Sequence, residues 1–258
     1  MSPEAVATRP EASQGPAAGE PAAPPTAGRI VVLGAGYGGV TAALRLGRRL
    51  ARRREWRVTL VDRNHYHLFE TRLHEAAAHG AEVTVPISRL IRKLPIDFRL
   101  GEAVGLDPAA GRVRLRDGAE IDYAYGVIAV GSKTNFYDIP GLERHALQLK
   151  TLEDSQRIRE RLERLFARAR SEANPQRRRE MLTFVIGGGG LTGVELAGEL
   201  VERCRELAGE HGLSDRDYEV IVCEVGPSIL PTLEPKLRER AAEILRDKGV
   251  RVLVGTRI

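Results

Sequence analysis

The pattern Gly-x-Gly-x-x-Gly occurs twice in this chain, at Gly34, Gly36 and Gly39 and again at Gly188, Gly190 and Gly193. Each copy sits between a short apolar run and a stretch with helical spacing of apolar residues. In the first, Ile30–Leu33 is expected as a buried strand and Val40–Leu50 as a helix. The first glycine permits a tight turn, the second lets a backbone approach a pyrophosphate, and the third lets the helix pack closely on the strand. Free N–H groups and the positive dipole end of the helix would face the phosphates. The next expected strand, Arg57–Val61, ends in Asp62, about 23 residues past Gly39, where a carboxylate accepts from ribose hydroxyls.

The second copy repeats the order. Thr183–Gly187 reads as a strand, Val194–Leu207 as an amphipathic helix, and Tyr218–Cys223 as a strand ending in Glu224. That acid follows Gly193 by about 31 residues, with the same logic. Glu234–Asp247 is expected as a helix and Val250–Val254 as a strand. The fold class is therefore α/β, with two Rossmann-like dinucleotide-binding domains, the second incomplete. One unit would hold the ADP half of FAD and the other that of NAD(P)H, so that their redox rings meet at the domain boundary. An acid at Glu224 repels a 2′-phosphate and so favours NADH over NADPH.

The expected division is a disordered tail over 1–28, a first domain over 29–145, a connecting helix and linker over 146–180, and a second domain over 181–258. The tail is rich in Ala, Pro, Gly and Glu and cannot bury enough surface to offset ordering entropy. Hydrophobic content of 42% and charged content of 29% over 258 residues describe a soluble globular protein. No stretch approaches the ~20 apolar residues of a membrane helix, and the N-terminus has no signal-peptide core. Cys204 and Cys223 have no CxxC spacing, which fits a reducing compartment and no disulfide framework. The net charge of +5 permits anionic partners without naming one.

Other segments are read as follows. Arg48–Arg57 is a solvated basic helix end. His65–His79 is a loop running into a helix beside the nucleotide. Its HExxxH spacing turns the second histidine about 140° from the first, so the zinc-peptidase geometry fails and no metal site is assigned. Phe98–Val104 and Arg112–Leu115 are short strands, with an Asp117-Gly118 turn before Ile121. Tyr123–Val130 is a buried strand ending at Gly131. Thr151 caps a helix carrying Leu152, Ile158, Leu162, Leu165 and Phe166 on one face. Asn174–Glu180 is a polar, Arg-rich loop. It lacks aromatic residues for base stacking, so nucleic acid is not a partner. Glu195 is placed in the first turn of the second glycine helix, where it would be stabilised by the dipole or act near the nicotinamide and flavin.

On the stretches RIVVLGAGYGGVTAALRL, VTLVDRNHYHLFETRLHEAAA, GVIAVGSKTNFYDIPGL, LKTLED, TFVIGGGGLTGVELAGEL and CEVGPSILP, the chain resembles the two-dinucleotide flavoproteins. More narrowly, LFETRLHEAAA and GGLTGVELAGEL are similar to the type II, non-proton-pumping NADH dehydrogenases. The resemblance implies a peripheral membrane enzyme of the respiratory chain that oxidises NADH through FAD and passes two electrons to a quinone. It implies that Gly34, Gly36, Gly38 and Gly39 meet the FAD pyrophosphate, Asp62 the adenosine ribose, Val104 the adenine and Gly131 the flavin. Gly188, Gly190, Thr192 and Gly193 would hold the NADH pyrophosphate, with Glu224 on its ribose, and Glu195 matches the family's glutamate near the nicotinamide and quinone. A homodimer on the cytoplasmic face of the inner membrane is the family expectation.

This sequence departs from the family by stopping before a later Gly-Asp flavin segment and an amphipathic C-terminal anchor. It is expected to be an N-terminal fragment. The alternatives are a ferredoxin- or rubredoxin-type reductase, which needs no cysteine, and a disulfide, persulfide or sulfide:quinone enzyme, which needs one beside the flavin. A non-catalytic nucleotide-sensing module and an inactive fragment complete the set.

Overall fold

The structure, a computed structural model, describes residues 28–258. The tail expected over 1–28 lies outside the described residues, except Gly28, which opens the first strand. That strand, β1 (Gly28–Leu33), passes through the first glycine turn into α1 (Tyr37–Leu50) and returns as β2 (Trp56–Asp62). There follow β3 (Tyr66–Leu68), one 3₁₀ turn at Glu70–Arg72, α2 (Leu73–His79), β4 (Thr84–Pro86), α3 (Ile87–Ile91) and β5 (Ile96–Leu100). Next are β6 (Ala103–Asp107), β7 (Arg112–Leu115), β8 (Glu120–Asp122) and β9 (Tyr125–Ile128). Three helices, α4 (Leu142–His145), α5 (Leu152–Ala169) and α6 (Pro175–Met181), precede the second unit. That unit comprises β10 (Thr183–Gly187), α7 (Leu191–His211), β11 (Glu219–Cys223), α8 (Pro235–Lys248) and β12 (Val250–Leu253).

Two parallel sheets organise these elements, in the orders β5-β2-β1-β9 and β10-β11-β12. Central strands of a parallel sheet are covered on both faces, which is why Ile30–Leu33 is apolar without alternation. Val32 packs with Val40 and Ala43 of α1 and Ile87 and Ile91 of α3. Its neighbours Val31 and Leu33 point the other way, onto Val113, Leu115 and Ile121 of the antiparallel β6-β7-β8 meander. In the second unit Ala197, Leu200, Val201 and Cys204 of α7 join Val220 and Val222 of β11. The same core takes in Ile158, Leu162 and Phe166 of α5 and Ala77 of α2. The small side chains of Ala76, Ala77 and Ala78 let α2, from the first half of the chain, lie against α5 and α7. Thr151 accepts from the Asp154 N–H and the Asp154 carboxylate accepts from the Thr151 N–H, so α5 begins in a capping box.

Several expectations are corrected. The single strand over Phe98–Val104 is two strands, β5 and β6, in different sheets. The chain leaves the parallel sheet at Gly101, whose N–H donates to the Asp62 carbonyl. The strand expected buried over Tyr123–Val130 is the shorter β9, which among the described residues is an edge strand bonded to β1 alone, with Ile128 and Val130 63% and 65% exposed. Its apolar composition does not by itself supply a covering layer. Asn174–Glu180 is not a loop. The Asn174 side chain accepts from the Gln176 and Arg177 N–H groups, and Pro175 opens α6 where a missing donor costs nothing. The segment after His65 begins with a strand, β3, paired antiparallel with β4. Arg48, Arg49, Arg52, Arg53 and Arg54 are exposed, as a solvated helix end should be.

Removal of the α5 cap by Thr151→Ala is expected to cost about 1 kcal/mol. Truncation of Phe166, fully buried and stacked 6.2 Å from Phe184, should cost about 3–5 kcal/mol. Shifts of the urea midpoint at constant slope measure both; equal losses for the two variants would contradict the placement of Phe166 at the centre of this core.

Candidate functional site

Both glycine turns follow the carboxyl end of the first strand of their sheet, the place where α/β sheets bind ligands. Gly34 has φ +96°, and a Cβ there would run into the Ala129 carbonyl just beyond β9. A Cβ on Gly39 would run into the Gly34 carbonyl, and one on Gly193 into the Gly188 carbonyl. These glycines are demanded by the protein itself. Gly36 and Gly190 are different. Their φ of −70° and −74° suits any residue, and a Cβ at either would meet no atom within 4 Å. A side chain there would fill only the space in front of the loop.

Helices α1 and α7 start from these two glycines with no side-chain cap and no acid in the first turn, unlike α5, with its capping box, and α6, capped by Asn174. Their leading N–H groups and dipole ends are left for an anion. Open backbone, uncapped helix and absent Cβ together fit a pyrophosphate at each turn.

Each loop is tied to the neighbouring strand by the acid at that strand's end. Asp62 Oδ2 accepts from the Ala35 N–H at 2.6 Å and Oδ1 from the Asn64 N–H at 2.7 Å. Glu224 Oε2 accepts from the Gly189 N–H at 2.7 Å and Oε1 from the Gly226 N–H at 2.6 Å. Each carboxylate oxygen has a second lone pair, so the same group that fixes the loop can also accept from a ribose hydroxyl.

The remaining predicted residues are placed as follows. Gly38 lies in the first turn of α1, where a Cβ would stand 3.7 Å from Ala129 Cβ. Gly131, at φ +74° past β9, faces open space. Val104 is 44% exposed and lies between Ala103 and Gly105, where the β6–β7 register shifts. Thr192, the second residue of α7, is exposed. Glu195 is not in the first turn of α7, which begins at Leu191; it lies one residue beyond, where the dipole has weakened. Its carboxylate instead comes 3.5 Å from His74 Nδ1 of α2. His79 Nε2, on the same helix, lies 3.0 Å from Glu199 of α7. Sequence reasoning missed His67, a buried ring whose Nδ1 lies 2.8 Å from the Ala35 carbonyl. Only its β-forming neighbours Tyr66, Leu68 and Phe69 mark the place.

Burial shapes two titrating groups nearby. It pushes the Tyr66 hydroxyl above its ordinary range, with the Glu153 charge adding to the effect. It pushes the Cys204 thiol up to about 12, and that side chain is fully buried on α7. A thiol so placed is not a thiolate nucleophile at neutral pH.

Gly36→Val and Gly190→Val are expected to stay within about 1 kcal/mol of the parent in stability, whereas Gly39→Val should lose several times that through collision with the Gly34 carbonyl. Thermal midpoints rank the three, and a Gly36→Val as unstable as Gly39→Val would contradict the open cradle. Iodoacetamide should leave Cys204 unmodified until the chain unfolds; mass spectrometry of tryptic peptides reads this directly.

Residues 28–258 match the pyridine nucleotide-disulphide oxidoreductase family. A type II NADH:quinone oxidoreductase of Staphylococcus haemolyticus is 31% identical over 233 residues, 89% of this chain and 57% of that protein. The Staphylococcus aureus protein of the same name is 30% identical over the same shares. The chain thus spans little more than half the length of these relatives. Among solved structures, NDH2 from Plasmodium falciparum in complex with NADH superposes with a TM-score of 0.79 at 23% identity, covering 88% of this chain and 48% of that one. The sulfide:quinone oxidoreductase of Aquifex aeolicus gives 0.70 at 21% identity, over 89% and 51%. With a family match running through every described residue and both glycine turns, the chain belongs to the pyridine nucleotide-disulphide oxidoreductase family.

Proposed function

We propose that this chain carries the nucleotide-binding part of an FAD-dependent NADH:quinone oxidoreductase. The observation that carries the reading is the pair of glycine turns, each held by its own strand-end carboxylate and each facing open space. The relatives' names support NADH and a quinone as the two reactants. In this reading the first turn binds FAD through Gly34, Gly36, Gly38 and Gly39, with Asp62 on its ribose, Val104 by its adenine and Gly131 beside its ring. The second binds NADH through Gly188, Gly190, Thr192 and Gly193, with Glu224 on its ribose.

Bound FAD would supply hydride acceptance from NADH and two-electron delivery to a quinone. The chain's own work is to orient. Helices α1 and α7 direct N–H donors at the two pyrophosphates, and the two carboxylates set the ribose positions. Glu195, against His74, is the group assigned to position or relay protons near the nicotinamide. Among the described residues no helix is long and apolar enough to cross a membrane, so membrane contact, on the cytoplasmic face, is proposed as peripheral.

Four measurements test this in the intact protein. Gly36→Val should weaken FAD binding, and Gly190→Val NADH binding, each by about a hundredfold, as expected for a side chain forced into occupied space. Stopped-flow reduction of the flavin should be at least about tenfold less efficient with NADPH than with NADH, because the Glu224 carboxylate opposes a 2′-phosphate. Equal efficiency would remove Glu224 as the selector. The reduced flavin should be reoxidised faster by a ubiquinone or menaquinone analogue than by a ferredoxin or rubredoxin; the reverse order would turn the assignment to a one-electron reductase. Glu195→Ala should lower quinone turnover by about tenfold or more, and unchanged turnover would end its catalytic role.

A further inference from the structure

In each glycine turn the residue between the first two glycines is held at both its N–H and its C=O. Gly189 donates to Glu224 and accepts from the Leu230 N–H at 2.7 Å. Ala35 donates to Asp62, but among the described residues no backbone donor reaches its carbonyl. His67 Nδ1 occupies that place at 2.8 Å. A carbonyl oxygen only accepts, so Nδ1 carries a proton whether the ring is neutral or charged. The ring is 5% exposed and meets Tyr37 and Phe69 edge-on, with centroids 5.0 Å and 5.1 Å away. It stands on β3, opposite Val85 of β4.

The peptide joining Ala35 to Gly36 is planar and trans, so its N–H points opposite to its C=O. Anchoring the Ala35 carbonyl therefore aims the Gly36 N–H, which makes no hydrogen bond among the described residues. In the second turn the Leu230 N–H does the same for Gly190. We propose that His67 is a positioning residue of the first turn: held on the β3–β4 ribbon, it sets the Gly36 N–H toward the pyrophosphate of the dinucleotide bound there. This rests on the assignment of that turn to FAD.

The test compares His67→Leu and His67→Asn in the intact protein, with FAD binding followed by flavin fluorescence and NADH binding by calorimetry. Asparagine keeps a donor near the position of Nδ1, and leucine does not. His67→Leu should weaken FAD about tenfold or more, the effect of leaving a buried carbonyl unpaired. His67→Asn should stay within about threefold of the parent, and NADH affinity should move less than about twofold in both, because the second turn uses Leu230. Unchanged FAD affinity in His67→Leu, or an equal fall in NADH affinity, overturns the proposal. If His67→Leu fails to fold, His67→Asn decides alone: a loss beyond about tenfold overturns it and retention supports it. Gly36→Val separates the two levels. If that variant keeps full FAD affinity, the assignment of the first turn to FAD falls and the proposal with it. If it loses FAD while His67→Leu does not, only the positioning role falls.

Discussion

Two carboxylates at strand ends, Asp62 and Glu224, hold the two glycine turns in place. A glycine turn is bought at an entropic cost, since a chain without Cβ atoms has more freedom to lose on folding. Each acid offsets that by pinning the turn to the strand beside it and, with its other oxygen, pinning the segment that follows. The other side of each turn is held by His67 in the first and by the Leu230 N–H in the second. A change at Asp62 or Glu224 therefore alters the shape of the loop itself.

The second organising feature is the layer of helices in which α2 packs against α5 and α7. Helix α2 comes from the first half of the chain but contributes Ala77 to the core of the second. Its alanines give close approach to α5 and α7, while His74 and His79 meet Glu195 and Glu199 at the rim. Lys150 reaches back to Glu70 at 2.8 Å from the start of the same layer. The first half of the chain is thereby tied to the second through packed helices.

The sequence made the two strand–turn–helix units legible because glycine spacing, apolar period and terminal acid all agree there. Where only one of those signals was present, reading failed. Phe98–Val104 has β-forming residues at both ends, and no local rule states that the chain changes sheet at Gly101. Tyr123–Val130 has the composition of a buried strand, but burial depends on what lies on either side, which composition does not contain. Asn174-Pro175 is a helix start that the surrounding arginines disguised as a polar loop. Glu195 missed its expected position by one residue because the helix boundary, set by Gly190, was legible only to within a turn. His67 could not be read at all as a loop anchor, since its partner is a backbone carbonyl 32 positions earlier.

The exposed β9 edge has a consequence for handling the molecule. Tyr125–Ile128 contains no charge and no proline, and among the described residues one side of the strand has no neighbour in its sheet. Such an edge is a template on which a strand from another molecule can add. Strand addition there would be suppressed by dilution, whereas unfolding, a unimolecular event, would not.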